Sequence, residues 1–237
     1  MALTSVVSAL VMAHLAPGSG PGVAITAGIA AGLAVGVVVG LCNGIAVAVF
    51  GITPFMVTLA MASIVGGVAL SLTNGIPIYG LPEAFVAGLG RTLWLGMPTT
   101  VWAAAIVVLL VWIVQKYTAL GTRIYAVGGS PQASRVSGID VRFHLVLAYV
   151  GCALAASLAS LLLTAQIGSG QGSVGDTLAL QSIGAAVIAG VSLHGGVGRV
   201  QWVALGSLFL LLLNNAMDLL RVDSKAQAIV MGLLILL

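Results

Sequence analysis

Long apolar runs separated by short polar or glycine-rich interruptions make up the whole chain, and the runs are continuous, with no period-two alternation. Continuous runs of about 17–25 apolar residues mark membrane-spanning helices, whereas outer-membrane strands alternate. Taken in order, the pattern predicts apolar segments over 1–16, 23–41, 55–72, 99–114, 145–165, 178–193, 200–214 and 226–237, about eight spans. PGSGPG at 17–22 predicts a tight turn, and Cys42-Asn43-Gly44 a break followed by a short apolar piece, 45–50. The connection 74–97 is mixed; its middle, 83–89, suits a helix on the membrane surface, with Trp94 as an interfacial anchor. GSGQGSVGD at 168–176 predicts a flexible loop, and His194-Gly195-Gly196 ends the run that begins at Leu178. The expected fold is an all-α integral membrane protein: one polytopic helical bundle over 1–237, with Gly-rich broken or re-entrant segments.

The longest polar interruption runs from Lys116 to His144 and holds four of the eight basic residues, Lys116, Arg123, Arg135 and Arg142. Inside it Ser130 is placed to cap a helix, Pro131 to occupy its first position and Gly138 to end it as the left-handed residue beyond the C-cap. The excess of Lys and Arg puts this loop on the cytoplasmic side. Alternation then puts 17–22, 74–97, 168–177 and 218–225 outside, and the breaks near 42–54 and 194–199 on the cytoplasmic side or part-way into the membrane.

Composition sharpens the picture. Hydrophobic residues are 60% of the 237 and charged residues 5%, against about 25% charged in soluble domains. The bilayer must be the main solvent. The 32 glycines suit helices whose backbones approach closely. The net charge of +3 gathers in the polar loop, so it points to no nucleic-acid partner. Cys42 and Cys152 lie in apolar context with no CxxC, and are expected to pack rather than bind metal or pair.

Ionisable side chains are nearly missing from the apolar runs; only His14 sits in one, near its end. Ion-coupled carriers need intramembrane Asp, Glu, His or Arg. Lys116 follows Gln115 and Lys225 follows Ser224, so neither belongs to a GxxxxGK[ST] phosphate loop. There is no HExxH and no carboxylate pair in the spans, so enzyme chemistry would rest on Ser192 and His194 alone, neighbours that do not face each other on a helix. No cofactor is expected. What remains is a set of uncharged polar residues in or beside the spans: Asn43, Thr58, Ser63, Gln181, Ser182, Asn214 and Asn215. They suit either interhelical hydrogen bonds or a weakly polar path for a neutral hydroxylated solute.

The loop helix acquires a role by elimination. Gln132, Ala133, Ser134 and Ser137 are small or polar and only Val136 is apolar, so it has little face to bury in lipid. It suits insertion into a soluble partner, with Arg135 available to a carboxylate.

Four segments carry a family resemblance. GTRIYAVGGSPQASRVSGIDV from Gly121 resembles the cytoplasmic loop of ribose/galactose-type permeases of bacterial ATP-binding-cassette (ABC) importers, with Ser130 where that family commonly has Asn and Ser134 for its second Ala. NGIAVAVFGITPFMVTLAMASIVGGVAL (Asn43–Leu70), AAVIAGVSLHGGVGR (Ala185–Arg199) and LLNNAMDLL resemble further segments of it, in the right order. The resemblance implies the membrane subunit of a carbohydrate importer. A second permease copy or homologue, a separate ABC ATPase subunit and an extracytoplasmic sugar-binding protein would be its partners. Ser130, Pro131, Gln132, Ala133, Arg135 and Gly138 would form the element that meets the ATPase. The family ordinarily has further membrane sequence ahead of the point matching Met1, which implies a truncated chain or a misassigned start. Permeases of the same plan for branched-chain amino acids or nucleosides, and a passive facilitator acting alone, are the alternatives.

Overall fold

The computed structural model describes residues 1–94, 96–192 and 195–236. Eleven helices follow in order: α1 (Ala2–Ser19), α2 (Pro21–Ala48), α3 (Pro54–Thr73), α4 (Glu83–Phe85), α5 (Thr99–Tyr117), α6 (Ala119–Gly129), α7 (Pro131–Val136), α8 (Val141–Ile167), α9 (Asp176–Ile188), α10 (Val200–Leu219) and α11 (Ser224–Leu236). A wider π-helical turn, Val86–Arg91, continues α4, and two short antiparallel strands, β1 (Leu93–Trp94) and β2 (Met97–Pro98), lead into α5. Among the described residues five helices are long and apolar enough to cross a membrane: α2, α3, α5, α8 and α10; the apolar stretches Ala2–Ala16 and Leu178–Ile188 are shorter. The chain is thus a polytopic helical membrane protein, with five membrane-length helices where the apolar pattern predicts eight spans.

Two compact units divide the chain, one of Met1–Val107 with Asp140–Gly175, the other of Val108–Ile139 with the chain from Asp176 onward. In the first, α2 is the centre, packed by α1 on one side and α8 on another. Its buried positions are Ala24, Gly28, Gly32, Gly36, Gly40 and Gly44, one every four residues. Such a row of hydrogens lets backbones meet. A Cβ at Gly40 would lie 2.8 Å from the Val150 Cα, and one at Gly44 2.9 Å from the Val146 Cα. In a membrane no hydrophobic force draws helices together, so this close van der Waals approach is what holds α2 to α8.

The same row explains one departure from the apolar pattern. Cys42-Asn43-Gly44 does not break the span, because the glycine is spent on contact with α8, not on a turn, and α2 continues to Ala48. Nor is 17–22 a turn of six residues. α1 runs on to Ser19, Pro21 takes the first position of α2, and Gly20 alone, at φ +82°, makes the break. Proline's fixed φ is already helical at that first position.

Connections expected to be loose or superficial are packed. Phe85 is 1% exposed and shares a cluster with Met12 and Ala165, so 83–89 is anchored against α1 and α8. Trp94, by contrast, is exposed, and its carbonyl accepts from the Trp102 indole at 3.1 Å. The 168–176 loop is pinned: Ile78 and Gly170 exchange both backbone hydrogen bonds, at 2.8 and 2.9 Å, and Val174 is buried.

Overpacking a tight helix contact costs about 1–3 kcal/mol. Gly40→Leu should therefore lower the melting temperature of the detergent-purified protein by several degrees. Gly66→Ala on α3, where an added Cβ meets nothing within 4 Å, should leave it unchanged or slightly raised, since Ala is the better helix former.

Candidate functional site

The loop helix forms where its cap residues place it. A six-residue helix cannot persist on its own propensity, so its ends must be closed locally, and both are. The Ser130 hydroxyl accepts from the Ala133 N–H at 3.3 Å, with Pro131 in the first turn. At the other end Gly138, at φ +76°, donates its N–H to the Arg135 carbonyl at 3.0 Å, and Ile139 donates to Ser134 at 2.9 Å. This is the paired Schellman arrangement. Asp140 follows at once and caps α8, its carboxylate accepting from the Arg142 and Phe143 N–H groups. Of α7 only Ser134 is buried; Gln132, Ala133 and Arg135 are exposed and Val136 is 92% exposed.

The polar loop also holds α6, an eleven-residue helix capped by the Thr118 hydroxyl, which accepts from Gly121 at 3.3 Å. Through α6 the loop is locked to the glycine-rich segment ahead of α10. Gly128 and Gly129 face Gly195 and Gly196 so closely that a Cβ on Gly128 would lie 2.7 Å from the Gly196 nitrogen. Beside this contact the Gln115 side chain grips the backbone at two points: its amide N–H donates to the Gly198 carbonyl at 3.4 Å and its oxygen accepts from the Val200 N–H at 3.1 Å. The Tyr125 hydroxyl donates to the same Gly198 carbonyl. Burial raises the Tyr125 pKa above its ordinary value, with Arg199 pulling modestly the other way, so the phenol keeps the proton it donates. Sequence reasoning missed this clamp; its one signal is an amide, Gln115, closing an otherwise apolar span.

In the other unit a row of buried hydroxyls joins α1 to α8. Thr4 and Ser157 hydroxyls lie 3.2 Å apart, Thr164 donates to Ser5 at 2.7 Å, Ser160 donates to the Met1 carbonyl at 2.7 Å, and the Gln171 N–H donates to Ser5 at 3.3 Å. Next to this row is a cavity of about 250 Å³, lined among others by Thr4, Asn43, Thr58, Tyr149, Cys152 and Ser157. The Asn43 side-chain oxygen, Oδ1, is buried there with no hydrogen-bond partner.

Of the seven polar residues singled out in the spans, then, Asn43 and Thr58 come together at one cavity. The others do not join them. Ser63 and Ser182 are exposed and donate to Leu59 and Ala179 of their own helices, at 3.2 and 2.8 Å. Thr58 back-bonds likewise, to Pro54 at 3.0 Å. A hydroxyl satisfied by its own helix need not face a bundle interior. Gln181 and Asn214 are half-buried and Asn215 exposed, all in the second unit. His14 is exposed and rests on its own helix, with Nδ1 3.3 Å from the Leu10 carbonyl. Cys42 and Cys152 are free thiols, exposed on this chain, and Cys152 is one of the residues lining the cavity. Ser192 is described but His194 lies outside the described residues, and so does any geometry between them.

Membrane-length helices, a small cavity lined in part by uncharged polar groups and an exposed, doubly capped loop helix describe a polytopic helical membrane protein. Over residues 1–237 the chain matches the family described as the permease component of branched-chain amino acid transport systems, and it belongs to that family of transport permeases. It is 40% identical over 200 residues to the ribose import permease of Escherichia coli (strain K12), covering 82% of this chain and 62% of that protein. It is 34% identical over 194 residues to both the D-allose and the L-arabinose transport system permeases of the same organism, covering 82% of this chain and 59% of each. The chain therefore spans roughly three-fifths of the length of these curated relatives. No solved structure matches it significantly.

Replacing Gln115 by Leu removes both ends of the clamp. Since 1.4 kcal/mol is a factor of ten in an equilibrium and a net hydrogen bond is worth about 0.5–1.5 kcal/mol, amide hydrogen exchange over residues 198–202 should quicken about tenfold. Exchange in α2 should not change.

Proposed function

We propose that this chain is the membrane-spanning permease subunit of an ABC importer for a pentose- or hexose-like sugar. The observation that carries this reading is the 40% identity to a ribose import permease, joined by two sugar permeases at 34%. The chemistry of the cavity supports it. Asn43, Thr58, Thr4 and Ser157 offer amide and hydroxyl groups without charge, which suit a sugar's hydroxyls and leave a zwitterion's ammonium and carboxylate without partners. A volume of about 250 Å³ lies just under the range of about 300–1,000 Å³ usual for drug-sized ligands, as befits a monosaccharide. A branched-chain amino acid, named in the family's description, is the second reading.

In this reading a binding protein delivers the sugar outside, a second permease copy or homologue completes the path in the plasma membrane, and a separate ATPase subunit supplies the energy. The Lys and Arg excess over 116–144 supports a cytoplasmic position for that loop, where α7 would meet the ATPase. Capped at both ends and exposed on nearly every residue, α7 suits a docking role. The clamp of Gln115 and Tyr125 would then relay its movement to the start of α10.

Vesicles holding this chain with a cognate ABC ATPase subunit and sugar-binding protein should accumulate labelled ribose only when ATP is supplied. Uptake by this chain alone, without ATP, would identify a passive facilitator instead. In the same vesicles Asn43→Leu should reduce uptake about tenfold while leaving ATPase association intact. Arg135→Glu should weaken co-purification of the ATPase subunit and lower uptake with it; co-purification at the unaltered level would remove α7 from that role.

A further inference from the structure

The second compact unit holds a larger cavity, of about 690 Å³, where α5 ends and α10 begins. Its lining includes two cations, Lys116 and Arg199, two indoles, Trp112 and Trp202, and two amides, Gln115 and Gln201. Among the described residues no Asp or Glu lines it. Two cations facing one cavity without a carboxylate repel each other and attract an anion. The Lys116 ammonium lies 5.3 Å from the centroids of both Trp112 and Tyr117, a cation–π placement worth only about 0.5–1 kcal/mol at an exposed site and easily exchanged for a true counter-ion.

The remaining wall says what kind of anion. Apart from its few polar groups the cavity is bounded by the indoles, Ala189, Val197 and glycine. It opens at the ends of α5 and α10, both long and apolar enough to cross a membrane. A soluble phosphate has no use for that apolar wall. A lipid has: its phosphate would reach the cations while its glycerol and upper acyl chains follow the indoles, which favour this depth of the bilayer. Basic pockets between membrane helices are suited to anionic head groups for the same reason.

We propose that this cavity seats the head group of an anionic phospholipid, its phosphate held by Lys116 and Arg199 against Trp112 and Trp202. The site is separate from the small cavity assigned to the sugar, and it stands whether or not the sugar reading does.

The test uses the full chain in detergent, titrated with short-chain phosphatidylglycerol, short-chain phosphatidylcholine or inorganic phosphate, with bound lipid counted by native mass spectrometry. Phosphatidylglycerol should bind at least tenfold more tightly than phosphatidylcholine, and millimolar phosphate should not displace it. The K116Q/R199Q pair should abolish the preference, while K116R/R199K and the control R123Q, which changes a cation outside the lining, should retain it. Equal binding of the two lipids by the unaltered protein overturns the proposal and needs no variant to fold. Displacement by phosphate makes this a site for soluble phosphate and overturns it too. Loss of preference in R123Q overturns it by showing general charge attraction.

Discussion

Close backbone contact is the constraint on which the first unit depends. In lipid the helices gain nothing from leaving water, so packing and internal hydrogen bonds must hold them. The row from Gly28 to Gly44 brings α2 against both α1 and α8. That approach in turn sets the distance at which the hydroxyls of α1 and α8 can pair, Thr4 with Ser157 and Ser5 with Thr164. The small cavity beside Asn43 and Thr58 is what is left over, bounded by helices that cannot come closer and polar groups that need partners.

Glycine meets glycine again in the second unit, where Gly128 and Gly129 lie on Gly195 and Gly196. There the contact joins two connecting segments instead of two membrane helices. Because no side chain intervenes, neither segment can shift far without the other, and the Gln115 and Tyr125 bonds to Gly198 oppose sliding along the contact. A polar loop of this length would otherwise be free to move independently of the membrane helices.

What the sequence makes legible here is local. Ser130, Pro131 and Gly138 bound α7 as cap chemistry requires, because each acts on residues within one turn. The apolar runs locate the membrane helices, but helix ends do not follow hydropathy: α8 begins at Val141, where Asp140 caps it, not at the first apolar residue run. Asn43-Gly44 reads as a turn by rules learned from water-exposed chains, and only the position of α8 shows why a helix runs through it. The four-residue glycine repeat was the signal for that. The pairing of Ser5 with Thr164 bridges 159 positions, and no pattern within either segment announces it. The clamp at Gln115 is equally remote, since its partners lie more than eighty residues away.

The double capping of α7 has a consequence for timing. Ordering a residue costs about 1–2 kcal/mol of backbone entropy, so a six-residue helix that formed only on contact would weaken its own docking by several powers of ten. Ser130 and the Gly138 turn settle that cost when the chain folds. Whatever surface receives α7 meets a shape already made, and its binding strength is set by the face presented and not by the work of forming it. In the docking role proposed for it, α7 would engage and release without melting in between.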